Sequence, residues 1–289
     1  MIYVYVLTLR KGCLFLHMTI ISITCLVKTN PNIKIVVIVD EATDFSLFPR
    51  ECELLNSLGV EILIVTTGQV DPVRSSRFIK LSLPEILDSP FCYLDADTLP
   101  LVNIESVIVE SDIAMVRDLN VGKASYRLDE RRVIICAQMK WPAPQYPYYN
   151  SGVIFSNGTP EVKDVFCSAK ELWLAVCERG FRCGDQLPLN IAIQESRKID
   201  TRLLDDSYNA QIRAAPKLAP KAKILHIFSG SIEKHDDTVM HALVDGLRRN
   251  SILEVGLVDR LLETRNPWLR GSKQARLFPF RKLLSTLTS

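Results

Sequence analysis

The sequence has few glycines, twelve among 289 residues, and contains no Gly-x-Gly-x-x-Gly or Walker sequence. A glycine loop that cradles phosphates with backbone amides is therefore not expected. The eight cysteines form no Cys-x-x-Cys pair and no zinc spacing with histidine, and most lie in apolar runs. This usage predicts reduced thiols in a cytosolic protein. The net charge is only +2, so we expect no nucleic-acid partner.

The N-terminal region lacks the features of a membrane span. Gly12 to Val27 is largely apolar and follows Arg10 and Lys11, as in a signal peptide. The run is short for a span and contains four polar side chains, and the preceding Ile2–Thr8 is typical of a strand. We therefore predict a strand, a turn and a buried helix rather than a signal or an anchor, and a cytoplasmic location.

Apolar strands alternate with helical patterns over the first 94 residues. Hydrophobic residues make up 47% and charged residues 24% of the chain, as in an ordinary globular protein. The alternation predicts an α/β fold with a mostly parallel central sheet flanked by helices. Predicted strands are Ile2–Thr8, Ile33–Val39, Val60–Val65 and Phe91–Leu94, and predicted helices are His17–Thr29, Arg50–Leu58 and Ser76–Leu87.

The pattern is less regular after Pro100. We predict a strand at Asp112–Val116, a loop at Trp141–Tyr149 and helices at Pro160–Glu178 and Leu187–Gln194. The chain is divided into a main domain, 1–245, and a basic helical tail, 246–289.

Two carboxylates directly follow the short apolar strand Phe91–Leu94. In α/β sheets, ligands bind at the carboxyl ends of strands, where Asp95 and Asp97 lie. In a straight strand, residues two apart share a face, so both carboxylates would point the same way. Their repulsion would be relieved by a hard divalent cation. The alternative is a solvated strand end with two loop aspartates.

Five short segments stand out between Ile2 and Gly230. They are Lys80 in RFIKLSL, Asp95-Ala96-Asp97 in YLDADTLP, Asn150-Ser151-Gly152, Gly184-Asp185-Gln186, and His226 in KILHIFSG. Taken together and in this order, they resemble glycosyltransferase family 8. The resemblance implies a GT-A fold, a nucleotide-sugar donor (mostly a UDP-sugar), Mn²⁺, and transfer of a hexose with retention at the anomeric carbon. It does not identify the acceptor as a glycan, a lipid or a protein.

The resemblance also implies roles for individual residues. Asp95, Asp97 and His226 would bind the metal, and imidazole with carboxylates suits Mn²⁺ better than Ca²⁺ or Mg²⁺. Asp185 and Gln186 would lie nearest the anomeric centre. The remaining residues implied to contact the nucleotide sugar are Thr8 at the base or ribose, Arg77, Lys80, Ala96, the turn with Asn150 and Ser151 beside the sugar, Gly230 and Lys234.

Each of these residues also has an ordinary structural interpretation. Arg77 and Lys80 could belong to a solvated helix face. His226 could be a buried histidine hydrogen-bonded at a strand end, and Asp185 could cap a helix. Gly152 could simply permit a close approach of the backbone.

The family pattern is incomplete after His226. Family members carry His-x-x-Gly-x-x-Lys-Pro-Trp, whereas here Gly230 is four residues after His226 and Lys-Pro-Trp is missing. Lys234 is the nearest substitute, next to Glu233. A non-catalytic nucleotide-sugar-binding or membrane-peripheral relative is therefore the alternative function.

The tail is strongly basic. Residues 246–289 hold nine basic and three acidic side chains, interleaved with Trp268, Phe278, Phe280 and leucines. Such a segment can hold a protein on an anionic membrane face. The alternative is a C-terminal helix packed on the core, and the sequence does not separate the two.

Overall fold

The computed structural model describes residues 1–10, 12–105, 107, 110–121, 128–227 and 237–287. Ten strands are present in these ranges: β1 (Ile2–Leu7), β2 (Lys34–Asp40), β3 (Val60–Val65), β4 (Phe91–Leu94), β5 (Thr98–Pro100), β6 (Ile113–Arg117), β7 (Tyr149–Ser156), β8 (Thr201–Leu203), β9 (Ala210–Gln211) and β10 (Ile224–His226). The α-helices of these ranges are α1 (Leu14–Thr29), α2 (Pro49–Ser57), α3 (Pro72–Leu81), α4 (Leu83–Ile86), α5 (Glu130–Met139), α6 (Pro160–Glu178), α7 (Gln186–Glu195), α8 (Val239–Asn250), α9 (Val255–Thr264) and α10 (Lys273–Leu287).

Seven strands form the central sheet, in the order β3-β2-β1-β4-β7-β6-β8. The first four of these are parallel, β7 is antiparallel to both of its neighbours, and β8 is parallel to β6. The predicted α/β fold with a mostly parallel sheet is confirmed. The carboxyl ends of β1 and β4 are adjacent, which places the residues that follow them at one edge of the sheet.

Helices cover both faces of the sheet because side chains alternate between the faces along each strand. Tyr3 and Tyr5 point into a core shared with α1 and α8. Val4 and Val6 point into a second core shared with α3, α6 and α7. The predicted buried helix is confirmed as α1, in which Leu16 to Leu26 are buried.

A small second sheet positions the end of β10. Its order is β5-β10-β9, with β10 antiparallel to β5 and parallel to β9. His226 is paired with Thr98, directly after Asp97. A residue distant in sequence is therefore held beside the segment that follows β4.

Two predicted elements differ from the structure. The predicted helix Ser76–Leu87 is two helices, because Pro84 has no N–H to donate to the carbonyl of Lys80. Asn150 and Ser151 do not form a turn but lie within β7, where the register with β6 shifts between Met115 and Val116. A bulge of this kind redirects side chains near the end of a strand.

The tail packs against the main core. The predicted boundary at 245/246 lies inside α8, and the two-domain division stays a prediction. Val258, Leu261, Trp268 and Phe278 are buried in the same core as β1 and α1. No helix within the described ranges is both long enough and apolar enough to cross a bilayer.

Candidate metal and nucleotide-sugar site

Asp95, Asp97 and His226 meet at the carboxyl edge of the sheet. One ligand atom from each lies within 4.8 Å of the others. His226 Nε2 is 3.2 Å from Asp97 Oδ1 and 3.9 Å from Asp95 Oδ2. The sequence suggested that both aspartates lie on one straight strand. They do not, because β4 ends at Leu94. They converge through the bend between β4 and β5 instead.

Hydrogen bonds orient the His226 ring. Its Nδ1 is 2.8 Å from Asn209 Oδ1, which can only accept, so Nδ1 donates and Nε2 faces the carboxylates. Asn209 in turn donates to Asn150 Oδ1 at 2.9 Å. A hydrogen-bond acceptor at the far ring nitrogen fixes the tautomer and orientation of metal-binding histidines. Asn209 was not identified from the sequence, since no local motif marks it.

Gly152 leaves the space that this cluster occupies. A Cβ built on Gly152 would lie 2.8 Å from Asp95 Oδ2 and 2.9 Å from His226 Nδ1. Distances under 3 Å force a neighbour to move, so any larger residue would displace the ligands. The close-approach interpretation of Gly152 therefore holds, with the metal ligands as the groups approached. This donor set of two carboxylates and one oriented imidazole fits a divalent cation.

Lys80 is buried beside the cluster rather than on a solvated helix face. Its Nζ lies 3.3 Å from Asp95 Oδ1, 2.9 Å from Asp185 Oδ2 and 4.5 Å from the centre of the Tyr93 ring. Burial lowers the pKa of Lys80, but the Asp185 and Asp95 carboxylates outweigh it and the pKa is raised. A permanent positive charge therefore lies at the wall of the site.

Asp185 stands at the N-cap position of α7 but does not cap the helix with its side chain. The carboxylate instead accepts a hydrogen bond of 2.7 Å from Ser151 Oγ and pairs with Lys80. Burial raises the pKa of Asp185, but Lys80, the Ser151 hydrogen bond and Arg77 together hold it below its usual value. The capping interpretation is wrong, and the group is a partly buried anion, 14% exposed, that lines the site.

Gln186 is fixed at both ends of its amide. Its Nε2 donates to Asp118 Oδ2 at 2.8 Å, and its Oε1 accepts from the Ser151 backbone N–H at 3.3 Å. Asp118 follows β6 and is 3% exposed. Asp118 therefore positions Gln186, as Asn209 positions His226, and neither role was identified from the sequence.

These side chains line a single cavity of about 610 Å³. The cavity also contains residues that were not predicted, among them Arg10, Phe15, Ser76 and Tyr93. The Tyr93 hydroxyl donates to Asp95 Oδ1 at 2.5 Å. Predicted residues that line it are Thr8, Arg77, Lys80, Asp95, Ala96, Asp97, Asn150, Ser151, Asp185, Gln186 and His226.

Four of the residues predicted to contact the nucleotide sugar are described separately. The Thr8 hydroxyl donates to the Pro72 carbonyl at 2.8 Å, which ties the end of β1 to the start of α3. Arg77 is a third exposed, and its Nε is 3.9 Å from Asp185 Oδ1. Gly230 and Lys234 lie outside the described residues.

Three solved structures that match this chain are glycosyltransferases. The galactosyltransferase LgtC, in complex with donor and acceptor sugar analogues, matches with a TM-score of 0.56 and 15% identity over 96% of this chain and 99% of LgtC. The chain has the GT-A glycosyltransferase fold. The resemblance to family 8 is thereby confirmed at the level of the fold.

Two further matches are to longer chains. GlyE of Streptococcus pneumoniae TIGR4 matches with a TM-score of 0.54 and 15% identity over 94% of this chain. The bifunctional glycosyltransferase WbbM matches with a TM-score of 0.58 and 15% identity over 89% of it. This chain spans 66% of GlyE and 51% of WbbM. No protein-family model and no curated protein matches the sequence.

Proposed function

We propose that the protein is a metal-dependent, retaining glycosyltransferase that moves a hexose from a nucleotide sugar, a UDP-sugar, to an acceptor. The observation that carries the proposal is the meeting of Asp95, Asp97 and His226 in one cavity with Lys80 and Asp185. Four separate segments of the chain contribute to this arrangement: the bend between β4 and β5, the end of β10, helix α3 and the residue before α7. Packing alone does not require two carboxylates and an oriented imidazole at one point.

Asp95, Asp97 and His226 would hold the cation, with Mn²⁺ as the candidate. When bound, such a cation supplies positive charge that neutralises diphosphate oxygens. Asn209 keeps the lone pair of His226 Nε2 directed at the site. Tyr93 and Lys80 hold the Asp95 carboxylate in place.

Lys80 and Asp185 form an ordered pair of opposite charges for the transfer itself. Negative charge grows on the diphosphate as the sugar bond breaks, and the fixed Lys80 ammonium stabilises it. Positive charge grows at the anomeric carbon, as in glycoside cleavage. The ionised Asp185 carboxylate and the Gln186 amide oxygen are the groups that we assign to that centre.

A retaining outcome requires the acceptor hydroxyl to attack from the face that the leaving group departs. The departing phosphate can then take the acceptor proton. Ser151 supports this arrangement because it binds Asp185 through its hydroxyl and Gln186 through its backbone N–H. One residue of β7 therefore sets the positions of both groups.

Calorimetric titration of UDP, first with Mn²⁺ and then with EDTA, tests the donor site. We expect binding that requires the metal and is lost in Asp95→Ala/Asp97→Ala, because the variant removes two of three ligands. Asp88→Ala/Glu171→Ala is the matched control, since both acids are exposed and lie away from the cavity. Metal-dependent binding would then justify a screen of UDP-sugars for donor hydrolysis.

Three results would overturn parts of this proposal. Absence of UDP binding in both conditions would refute the UDP assignment and favour another nucleotide or a non-catalytic relative. Equal binding with Mn²⁺ and with EDTA would refute the metal dependence. UDP binding without turnover of any UDP-sugar would favour the alternative function, a non-catalytic protein that binds nucleotide sugars.

We also propose a peripheral contact between α10 and an anionic membrane. Phe280, Leu283 and Leu284 are 68%, 61% and 62% exposed, whereas Phe278 is 5% exposed in the core. Arg276 and Lys282 are exposed on the same helix. Exposed apolar side chains beside basic ones are typical of interfacial helices.

A further inference from the structure

The cavity of about 610 Å³ that holds Asp95, Asp97 and His226 is called the donor cavity below. A second cavity, of about 820 Å³, adjoins it. Val73 and Arg77 line both cavities, so the two meet along one side of α3. The second cavity continues along the loop that leads to Asp185, where Arg182, Cys183 and Gly184 are part of its wall. It therefore opens beside the residues that we assign to the anomeric centre.

Four arginines line this second cavity: Arg74, Arg77, Arg131 and Arg182. A single acid, Asp71, is present among the lining residues, and its carboxylate accepts the Val73 backbone N–H at 3.1 Å. Among the described residues, no acid forms an ion pair with Arg74, Arg131 or Arg182. Guanidinium groups stay charged at all relevant pH values, so the cavity carries a net positive charge.

The arginines come from three separate elements. Arg74 and Arg77 lie on α3, Arg131 lies on α5, and Arg182 lies in the loop before α7. Arg131 donates a hydrogen bond to the backbone carbonyl of Arg182, which ties α5 to that loop. The fold thus gathers like charges that repel one another, and an anion would relieve that repulsion.

We propose that this arginine cavity binds an anionic group of the acceptor, a phosphate or a carboxylate carried by a sugar. Arginine binds both groups through paired N–H donors. The donor diphosphate would bind in the neighbouring cavity, with Lys80 and the metal ligands. The inference rests on the proposed transferase function and names the class of its acceptor.

The test is direct binding of three probes: glucose 6-phosphate, glucuronate and glucose. We expect at least one anionic probe to bind about tenfold or more tightly than glucose, because charge-assisted hydrogen bonds add to the affinity. In Arg74→Gln/Arg182→Gln that preference is expected to fall at least tenfold. A preference for glucose 6-phosphate would assign the phosphate, and a preference for glucuronate would assign the carboxylate.

Two controls separate this site from the donor site and from misfolding. Arg202→Gln/Arg248→Gln removes two exposed arginines elsewhere and is expected to leave binding unchanged. Asp95→Asn/Asp97→Asn is expected to abolish metal-dependent UDP binding but to retain the anionic preference. The arginine variant is expected to keep UDP binding and a Tm at or above that of the native protein, since it removes repulsion.

Three results would overturn the proposal. These are equal affinity for the three probes, an equal loss in the control pair, or loss of anion binding in the aspartate variant alone. The last result would place the anion in the donor cavity. UDP binding is measured separately, so failure of the donor site and failure of the arginine cavity give different outcomes.

Discussion

At the scale of single residues, Gly152 decides whether Asp95 and His226 can meet in the candidate metal site. The residue has an ordinary strand conformation, so its role is the absence of a side chain rather than an unusual backbone angle. Its position opposite His226 and Asp95 puts the backbone of β7 in direct contact with the cluster. The same backbone donates to Asn150 Oδ1, which belongs to the chain of hydrogen bonds behind His226.

Gly152→Ala is expected to weaken Mn²⁺-dependent UDP binding by about tenfold or more, the range seen when groups around metal ligands are disturbed. The added Cβ must displace the His226 ring or the Asp95 carboxylate. Calorimetry with Mn²⁺ measures the effect, and circular dichroism checks that the strand remains folded.

Gly256→Ala provides the matched control for Gly152→Ala. Gly256 lies in the first turn of α9, and a Cβ there meets nothing within 4 Å. We expect this variant to bind UDP as the native protein does. Native affinity in Gly152→Ala would show that the ligands do not form the site that we describe.

At the scale of elements, Asp40 joins three segments beside the donor cavity. Its fully buried carboxylate pairs with Arg10 at 2.7 Å and accepts hydrogen bonds from Thr43 and Ser75. These partners lie after β1, after β2 and on α3. Burial raises the pKa of Asp40, but Arg10 and the two hydroxyls outweigh it and the pKa lies below its usual value.

Asp40→Asn is therefore expected to lower the free energy of unfolding at pH 7 by about 2–3 kcal/mol, the cost of breaking a buried, hydrogen-bonded charge pair. Because folding lowers this pKa, the stabilisation is present above about pH 4, the pKa of an unfolded aspartate. It is lost as the pH falls through the folded pKa. The difference in the free energy of unfolding between the variant and the native protein should therefore become smaller at acidic pH.

Urea unfolding at a series of pH values measures this difference. The control is Asp88→Asn, because Asp88 is 89% exposed and pairs with Lys163 across the surface. We expect its effect to be within about 1 kcal/mol. If the free energies of unfolding of Asp40→Asn and the native protein differed by the same amount from pH 7 to pH 3, the assignment of Asp40 as an ionised carboxylate would be contradicted.

At the scale of the whole molecule, the tail both completes the core and exposes an apolar surface. Trp268 and Phe278 are each 5% exposed and lie in the core of the main sheet. Truncation after Leu262 would remove both, so loss of membrane binding in that variant could reflect unfolding. Exposed side chains of α10 give a cleaner test.

Phe280→Ser/Leu283→Ser is expected to abolish binding to vesicles of phosphatidylcholine and phosphatidylglycerol without lowering Tm. Binding by the native protein should fall with added salt, because basic side chains attract the anionic surface. Vesicle cosedimentation at two salt concentrations measures both effects.

Leu47→Ser/Ile252→Ser is the control for the α10 variant, since these side chains are 62% and 61% exposed elsewhere on the surface. Vesicle binding that the control also loses would indicate general adhesion. Absence of vesicle binding by the native protein would support the alternative, in which the tail is only a C-terminal helix packed on the core.

Much of the fold could be predicted because its signals are local. The strand Val60–Val65 and the helix Pro160–Glu178 have the predicted bounds, since a short β-rich run and a proline at the first turn mark them directly. The division between α3 and α4 was missed although Pro84 marks it. The strand conformation of Asn150 and Ser151 was also missed, because it depends on the pairing of this end of β7 with β6, in which Asn150 lies opposite Val116.

The candidate site shows the same separation between local and non-local information. Asp95, Asp97 and His226 were identified by motif, and their convergence was expected from the family resemblance. The roles of Asn209 and Asp118 were not predicted. Each is a common polar residue whose partner lies 17 and 68 positions away in the chain, respectively.

The sequence by itself determined the alternation of strands and helices, the buried α1 and the residue types of the metal cluster. These features depend on the periodicity and chemistry of neighbouring residues. Only the tertiary structure decided that Lys80 is buried between two carboxylates, that Asp185 does not cap α7, and that four arginines line one cavity. Burial and charge pairing depend on groups that folding brings together across long stretches of chain.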